Sequence, residues 1–402
     1  LSAALNRLKS PESRVRKLYP ALTERQVTAL LTSLGDDVSG GLARREAEYK
    51  NMEKALKAWS LASSQDLIIR LNSIKIKQCW QSPTTKKLEL RAENFTLPLL
   101  KADFSHVRTL ELDQVNWSVA TETFLSNFTG LTRLTVARST LKKLPDSLAT
   151  LHNLTELNLR NNQLRLDEQA AVSLGKLTKL KSIDLSENPL GRTPDFSAMS
   201  DLQTLNLSKT GLKRWPEGLQ HQSRLKLVDL RGNDLREVPN AVLNPPAEQL
   251  SARARINGVT QLEDNRFEAD LWRSLDAFWV RVAADHPELA AQALPGAFRL
   301  DGHIPEIAMV RRMYPDKDVQ TAKAYWNAMD DATQKALPDR MQKFDLMAAQ
   351  LERYVQSSST ANVQTRQWVQ QVARSLKECW LNDSLTTLKL PKGRGPLPAL
   401  EA

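Results

Sequence analysis

The chain has little of several features that would assign a function directly. It contains only two cysteines among 402 residues, too few for a disulfide framework and typical of a reducing compartment. No stretch approaches the roughly 18 consecutive apolar residues of a membrane span, so we predict no membrane-spanning helix. The first residues, LSAALNRLKS, lack the basic start and apolar run of a secretory signal peptide. Because they also lack an initiating methionine, we expect the chain to be a piece of a longer protein.

Charge of one sign is not concentrated anywhere in the chain. The formal net charge is +10, from 56 Lys and Arg against 46 Asp and Glu, which by itself would allow nucleic-acid binding. The basic residues are interspersed with acidic ones, however, and they form no block of five or more. This mixture is typical of solvated surfaces, and we therefore predict no nucleic-acid partner.

Motifs for catalysis, metals and cofactors are also missing. The sequence has no Gly-rich phosphate loop, nucleophile elbow or His-Glu-x-x-His helix, and its five histidines do not fall at metal-ligand spacing. Cys79 and Cys379 share a Lys-x-Cys-Trp context, which favours a small buried side chain beside a tryptophan over a nucleophile. We predict no catalytic residue, no metal and no cofactor in this chain.

What the chain has instead is one motif, Leu-x-x-Leu-x-Leu-x-x-Asn-x-Leu, repeated at intervals of 22 to 26 residues. Five copies begin at Leu131, Leu154, Leu180, Leu202 and Leu225. This is the leucine-rich-repeat signature, in which each unit adds one short strand and neighbouring units share a core. The predicted fold class is α/β: a leucine-rich-repeat solenoid with parallel strands on its concave face, flanked by α-helical capping modules.

One polar position of the motif is predicted to be structural. Asparagine occupies it in three clear copies and in a last, degenerate one, whereas Ser139 and Thr210 replace it in two others. It lies where the chain leaves the strand, and an amide there can satisfy buried backbone groups that a hydroxyl satisfies only in part. The asparagines are Asn162, Asn188, Asn233 and Asn265.

The concave face is the predicted functional site. Strand residues alternate between faces, so the residues between the inward leucines form outward columns. These columns are polar and mixed in sign, which fits a protein partner better than a phosphate backbone, since phosphates would require basic columns. The residues predicted to bind a partner are Arg133, Glu156, Asn158, Arg160, Asp184, Asn206, Asp229 and Arg231.

A second regularity brackets the repeats. Val15-Arg-Lys-Leu-Tyr-Pro recurs 295 residues later as Val310-Arg-Arg-Met-Tyr-Pro, and Cys79-Trp80 recurs 300 residues later as Cys379-Trp380. The two copies predict one helical module that caps the open end of a solenoid. The predicted domains are a capping module (1–84), the solenoid (85–267), a helical cap or linker (268–309), and a second capping module leading into a further repeat (310–402).

The order of these motifs resembles a more specific family. The Tyr-Pro module, the Cys-Trp helix end, the run Ala102-Asp-Phe-Ser-His-Val-Arg-Thr-Leu and Arg255-Ile-Asn-Gly-Val-Thr resemble bacterial effectors of Pseudomonas type. In these proteins leucine-rich repeats precede a NEL (novel E3 ligase) ubiquitin-ligase domain. The resemblance implies a secreted protein acting in the host cytoplasm. Its repeats would bind a host substrate or the protein's own catalytic domain.

The resemblance carries over no catalytic residue, because the family's cysteine lies in a Cys-x-Asp context. Cys79 is followed by Trp-Gln and Cys379 by Trp-Leu, so the ligase domain is expected beyond residue 402. Two alternatives stay open. The helical part at about 268 to 380 could be a cysteine-independent ligase that binds a charged conjugating enzyme, or the repeats could be purely structural or adhesive. The sequence leaves the oligomeric state open.

Overall fold

Eight parallel strands lie side by side in the order in which they occur in the chain, the arrangement that stacked repeats require. The structure, a computed structural model, describes residues 10–62, 67–268, 270–300, 304–357, 367, 371–372, 374–375, 378–380, 382–383 and 386–388. The chain divides into two compact units, Leu1–Glu268 with Arg273–Arg299 and Ala269–Trp272 with Leu300–Ala402.

The first unit begins with four helices: α1 (Pro11–Leu18), α2 (Glu24–Ser33), α3 (Val38–Ala62) and α4 (Leu67–Trp80). Helix α2 starts with a capping box in which Thr23 and Gln26 satisfy each other's backbone N–H groups. Trp80, at the end of α4, stacks on Tyr19 with ring centroids 5.1 Å apart and donates its indole N–H to Glu48 at 2.7 Å. The neighbouring Cys79 is 3% exposed.

Helix α4 covers the outer edge of the first strand. The buried Asn72 donates from Nδ2 to the carbonyl of Arg91 at 3.2 Å, and Lys75 reaches the carbonyl of Glu89 at 3.4 Å. An open strand edge would otherwise offer unpaired backbone groups to another chain. The helix therefore closes the solenoid at its N-terminal end.

The solenoid alternates strands with short helices or turns. The strands are β1 (Lys87–Phe95), β2 (Thr109–Val115), β3 (Arg133–Ala137), β4 (Glu156–Asn158), β5 (Ser182–Asp184), β6 (Thr204–Asn206), β7 (Leu227–Asp229) and β8 (Thr260–Gln261). The helices between them are α5 (Val119–Leu125), α6 (Glu168–Gly175), α7 (Asn240–Leu243) and α8 (Ala247–Asn257). The inward leucines form a continuous core in which Leu157, Ile183 and Leu205 are at most 1% exposed.

The asparagine column has the predicted structural role. Asn188 is 2% exposed. Its Nδ2 donates to the carbonyls of Leu159 and Leu185 at 2.8 and 3.0 Å, and its Oδ1 accepts the N–H of Leu164 at 3.0 Å. Asn162, Asn233 and Asn265 repeat this pattern. Thr210 cannot span the same gap, so the N–H of Leu190 donates to the carbonyl of Asn188 instead.

The last strand of the solenoid is closed by α9 (Leu271–Asp285), α10 (Pro287–Gln292) and the segment that follows them. Phe298 donates its backbone N–H to Thr260 at 2.7 Å, which occupies the free edge of β8. Its ring lies 5.1 Å from that of Phe278, and its carbonyl accepts the indole N–H of Trp279. The aromatic side chains Phe278 and Trp279 of α9 therefore pack against the segment that closes the solenoid.

The second unit repeats the local structure of the first module. Its helices are α11 (Pro305–Met313), α12 (Val319–Ala328) and α13 (Asp331–Ser357). Tyr314 ends α11 with φ −126° and ψ 69°, against −127° and 73° for Tyr19 after α1. The ring centroids of Trp380 and Phe344 are 4.6 Å apart, and those of the corresponding residues Trp80 and Tyr49 are 5.4 Å apart.

The unit boundary differs in position from the predicted domain boundary. Helix α11 runs continuously through residues 309 and 310, and the longer segment of the second unit begins at Leu300. The reason is that Ile304, Ile307 and Val310 belong to one buried cluster. The further repeat predicted after the second module falls mostly on residues 389–402, which lie outside the described residues.

Candidate functional site

The strand register aligns the predicted site residues in columns. Arg133 pairs with Glu156, and Glu156 pairs with Ser182. In the next column Asn158, Asp184, Asn206 and Asp229 lie side by side on β4 to β7. Six of the eight residues predicted to bind a partner therefore share one face of the sheet, and Arg160 and Arg231 lie two residues beyond the ends of β4 and β7. Whether they bind a partner stays a prediction.

The middle column has a structural task that the sequence did not reveal. Each side chain accepts, at 3.0 Å, the backbone N–H of the residue two positions further on, where the chain leaves the strand. Asp184 and Asn206 also accept the hydroxyls of Ser186 and Ser208. A donor left unpaired at these turns would be costly, so this column stabilises the concave face as well as lining it. Its members are Asn158, Asp184, Asn206 and Asp229.

The outer columns carry paired charges. Arg133 Nε lies 2.9 Å from a carboxylate oxygen of Glu156, and both side chains are about half exposed. Arg160 lies 3.6 Å from Glu187, whose other oxygen accepts from Asn161 at 3.0 Å. Such exposed pairs contribute little to stability, roughly 0 to 1 kcal/mol each. They fix the directions in which the guanidinium and carboxylate groups face an incoming partner.

Asp229 and Arg231 form a unit in which only the arginine is accessible. Asp229 is 6% exposed, and its two oxygens accept from Arg231 Nε and Nη2 at 3.0 and 2.7 Å. The side chain of Arg231 is 49% exposed. Asp229 therefore orients Arg231 instead of offering its own carboxylate to a partner.

A column of left-handed residues was missed by the sequence reasoning. At the end of β1 and β2, and in the turn after each of the other strands, one residue has a φ between 47° and 67°. Only one of these residues is glycine, so residue type gave little indication of the left-handed conformation. The regular spacing of the turns was the one signal in the sequence that could have located these positions. Their side chains extend the concave face, because Arg138 pairs with Asp113 and Glu187 with Arg160. The column consists of Asn94, Gln114, Arg138, Asn161, Glu187, Lys209, Gly232 and Asp264.

Two regions of the concave face differ in character. At β1 to β4, an open cavity of about 340 Å³ has Ala137 among its lining and charged side chains around it. Asp113 sits there between Arg91, at 3.1 Å, and Arg138. At β5 and β6 the face is made of small polar side chains: Ser182, Asp184, Ser186, Thr204, Asn206 and Ser208. A partner would meet a charged, indented region next to a flatter, hydroxyl-rich one.

The two cysteines differ in environment: the burial predicted for both is confirmed for Cys79 and is wrong for Cys379. Burial raises the pKa of the Cys79 thiol to about 12, so it is protonated at neutral pH and unreactive. His106 donates from Nε2 to the carbonyl of Cys79 at 3.0 Å, and burial lowers the pKa of this imidazole. The contact joins the loop before β2 to the end of α4. Cys379 is exposed.

Among the described residues, no helix is long and apolar enough to cross a membrane. A family model described as Leucine Rich Repeat matches residues 153–177. The repeats are leucine-rich repeats.

Several proteins with such repeats are similar to part of the chain. The volume-regulated anion channel subunit LRRC8A of Homo sapiens is 27% identical over 143 residues, which are 35% of this chain and 18% of that protein. The transforming growth factor beta activator LRRC33 of Danio rerio is 27% identical over 187 residues, 42% of this chain and 26% of that protein. Because the chain spans only these fractions of its curated relatives, their activities are not carried over to it.

Solved structures give a more distant likeness. An internalin of Listeria monocytogenes shares 15% identity with a TM-score of 0.36, over 56% of this chain and 59% of that one. A leucine-rich-repeat protein of Leptospira interrogans shares 21% identity with a TM-score of 0.32, over 42% and 41%. The leucine-rich-repeat assignment rests on the repeats themselves and on their stacked parallel strands.

Proposed function

We propose that the concave face of this leucine-rich-repeat solenoid recognises a protein partner. The observation that carries this is the set of exposed, ion-paired charges of both signs on β3, β4 and the turns after them. A surface of alternating sign, fixed in direction, complements the mixed charges of another protein. A phosphate backbone would be better served by unpaired basic columns.

The partner can be sought with two matched triple variants. The concave variant combines Arg133→Ala, Glu156→Ala and Arg160→Ala, and it spares the middle column that stabilises the turns. The control combines Lys179→Ala, Asp201→Ala and Arg224→Ala, which removes the same number of charges of each sign just before the first motif leucine of three repeats. The amount of protein captured from host cytosol should be lower with the concave variant than with the wild type, and unchanged with the control. Equal capture by both variants would contradict concave-face recognition.

We further propose that the chain is the recognition region of a secreted bacterial effector of the NEL ubiquitin-ligase type, acting in the host cytoplasm. The motif order around the repeats supports this, and the partner would then be a host substrate or the effector's own catalytic domain. The natural gene tests it: a helical domain with a Cys-x-Asp motif should be encoded downstream of residue 402. A downstream sequence without such a domain would refute this assignment and leave concave recognition standing.

The alternative of a cysteine-independent ligase in the helical part at about 268 to 380 has its own test. The chain is incubated with ubiquitin, activating enzyme and conjugating enzyme, as wild type and as the double variant Cys79→Ser, Cys379→Ser. The NEL proposal predicts no ubiquitin chains from this region alone. Chains that survive both substitutions would favour the alternative.

A further inference from the structure

Helix α4 carries an apolar stripe on the side that faces away from the solenoid. Leu67, Leu71 and Ile74 are 67%, 48% and 50% exposed, and Ile68 beside them is 47% exposed. The positions i, i+4 and i+7 lie on one helix face. The opposite face, with Ile69, Asn72 and Ile76, is buried. A surface helix normally turns its apolar face toward the core and polar side chains toward solvent, so a second apolar stripe on the exposed side is unusual.

The second copy of the module shows that its own packing does not require this stripe. With the spacing of 300 residues, the buried positions of α4 keep apolar counterparts in sequence: Val369, Val372, Leu376, Cys379 and Trp380. The stripe positions Leu67, Leu71 and Ile74 correspond to Gln367, Gln371 and Arg374, all exposed. Only Ile68 has an apolar counterpart, Trp368, which lies outside the described residues. The outer face of the first copy is therefore apolar for a reason other than folding of the module.

Two exposed basic side chains flank the stripe. Arg70 and Lys75 are exposed and flank it on opposite sides of the helix. Lys77, further round, is already neutralised by Glu53 at 2.6 Å. An occupant with acidic flanks complements Arg70 and Lys75. A second copy of the same face would set these cations against one another, which disfavours self-association.

The surface next to the stripe is grooved, which suits a partner helix. An open groove of about 460 Å³ lies between α4 and β1, lined by Lys75, Gln78, Lys87 and Glu89 among others. Within it Lys87 is already paired with Glu89 and with Glu111, so Lys75 is the cation that the groove offers to an acidic partner. The stripe itself spans about 10 Å along the helix axis, two turns at about 1.5 Å per residue. A partner helix with apolar residues at i, i+3, i+4 and i+7 matches this length. A planar membrane surface would leave the groove unfilled.

We infer that the outer face of α4, defined by Leu67, Ile68, Leu71 and Ile74, is a second docking surface that binds an amphipathic helix with acidic flanks from a partner protein. This surface lies at the N-terminal end of the solenoid and is separate from the concave columns. The outer edge of β1 beside this surface is already occupied, because Asn72 and Lys75 donate to its carbonyls. The partner therefore packs on a helix and does not add a strand to the sheet.

The test is a titration of the full chain with two labelled synthetic peptides of roughly 18 residues, long enough for helix formation. Both carry leucine at i, i+3, i+4 and i+7; one has glutamate flanks and the other lysine flanks. The stripe variant combines Leu67→Gln, Leu71→Gln and Ile74→Arg, the residues of the second copy. The control variant places Val119→Gln, Val172→Gln and Val280→Arg, which are exposed apolar positions elsewhere.

The glutamate peptide should bind saturably, more weakly at high salt, and the stripe variant should lose about tenfold or more in affinity. The lysine peptide should bind much more weakly, and the control variant should bind like the wild type. Equal binding of the two peptides, undiminished binding by the stripe variant or no saturable binding would overturn the inference. Thermal unfolding of each variant shows that its fold is retained.

Two further arms distinguish other occupants. Vesicles of neutral and anionic phospholipid are sedimented with wild type and stripe variant, and the same pair is run by sedimentation velocity over a range of concentrations. Neither assay should show a stripe-dependent change. If the glutamate peptide does not bind, stripe-dependent vesicle binding would overturn the inference in favour of a lipid surface. Stripe-dependent self-association would overturn it in favour of a second copy of the chain.

Discussion

At the scale of single residues, the asparagine ladder is the feature that the sequence revealed best. One motif position held asparagine in most repeats, and a buried amide has few other uses at the end of a strand. The middle concave column also satisfies backbone N–H groups, but its role was not foreseen. Aspartate and asparagine on a solvent-facing position look the same in sequence whether they bind a partner or cap a turn.

Asn188→Ala should destabilise the chain by about 1 to 3 kcal/mol, because it leaves the N–H of Leu164 and the carbonyl of Leu185 without partners in the core. The measurement is the free energy of unfolding from urea titration. Asn153→Ala is the control, since its exposed side chain only accepts from Lys179 and its loss should be within a few tenths of a kcal/mol. Equal effects of the two substitutions would contradict the ladder.

The two cysteines should differ sharply in reactivity. With its pKa raised to about 12 by burial, the Cys79 thiol remains protonated at pH 8, whereas Cys379 is exposed. A thiol-specific reagent at pH 8 should modify one thiol rapidly in the native protein and the second only on unfolding.

The sign of the pH effect follows from the raised pKa. The folded state favours the protonated Cys79 thiol, so its contribution to stability is complete below the unfolded pKa, 9.0, and is lost as pH rises toward 12. Reaction at Cys79 should therefore quicken only in strongly alkaline solution. If the fast thiol persists in Cys379→Ser, the assignment of the buried cysteine is wrong.

At the scale of elements, the strands and their register were predictable because a period-two pattern recurs with nearly constant spacing. The pairing of Arg133 with Glu156 follows directly from that register. The pairing of Arg160 with Glu187 does not, because Glu187 lies in the left-handed turn after β5. Repeat stacking imposes this turn on residues such as Gln114 and Lys209, whose intrinsic preferences oppose it. Local sequence therefore could not disclose it.

Gly232→Ala should lower stability by about 1 kcal/mol, since alanine is strained at a φ of 67°. The new Cβ would also lie 2.9 Å from Lys209 Cγ. Lys209→Gly should be neutral or stabilising, because it relieves strain at a φ of 55°. In the double variant the contact with Lys209 is absent, so any cost that remains reports backbone strain alone. The urea midpoints of the wild type, the two single variants and the double variant separate the cost of backbone strain from the cost of the contact with Lys209. An unaltered midpoint for Gly232→Ala would refute the strained turn.

At the scale of the whole molecule, internal duplication made the helical modules recognisable. The structure agrees with this duplication. Helices α1 and α11 end in the same way at Tyr-Pro, and the ring contact of Trp80 with Tyr49 matches that of Trp380 with Phe344. The exposed stripe on α4 was not foreseen. Sequence shows which residues are apolar, whereas the distinction between a buried and an exposed helix face depends on where the neighbouring elements lie.

Concave-face recognition is tested most directly by hydrogen exchange of the chain with and without a captured partner. Binding should slow exchange in peptides covering β3, β4 and β5 and the turns that follow them, at residues 133–138, 156–161 and 182–187. Exchange in the helical segments at 119–125 and 168–175 should be unchanged. Protection confined to those helical segments or to α4, with the concave strands unaffected, would contradict the proposed function.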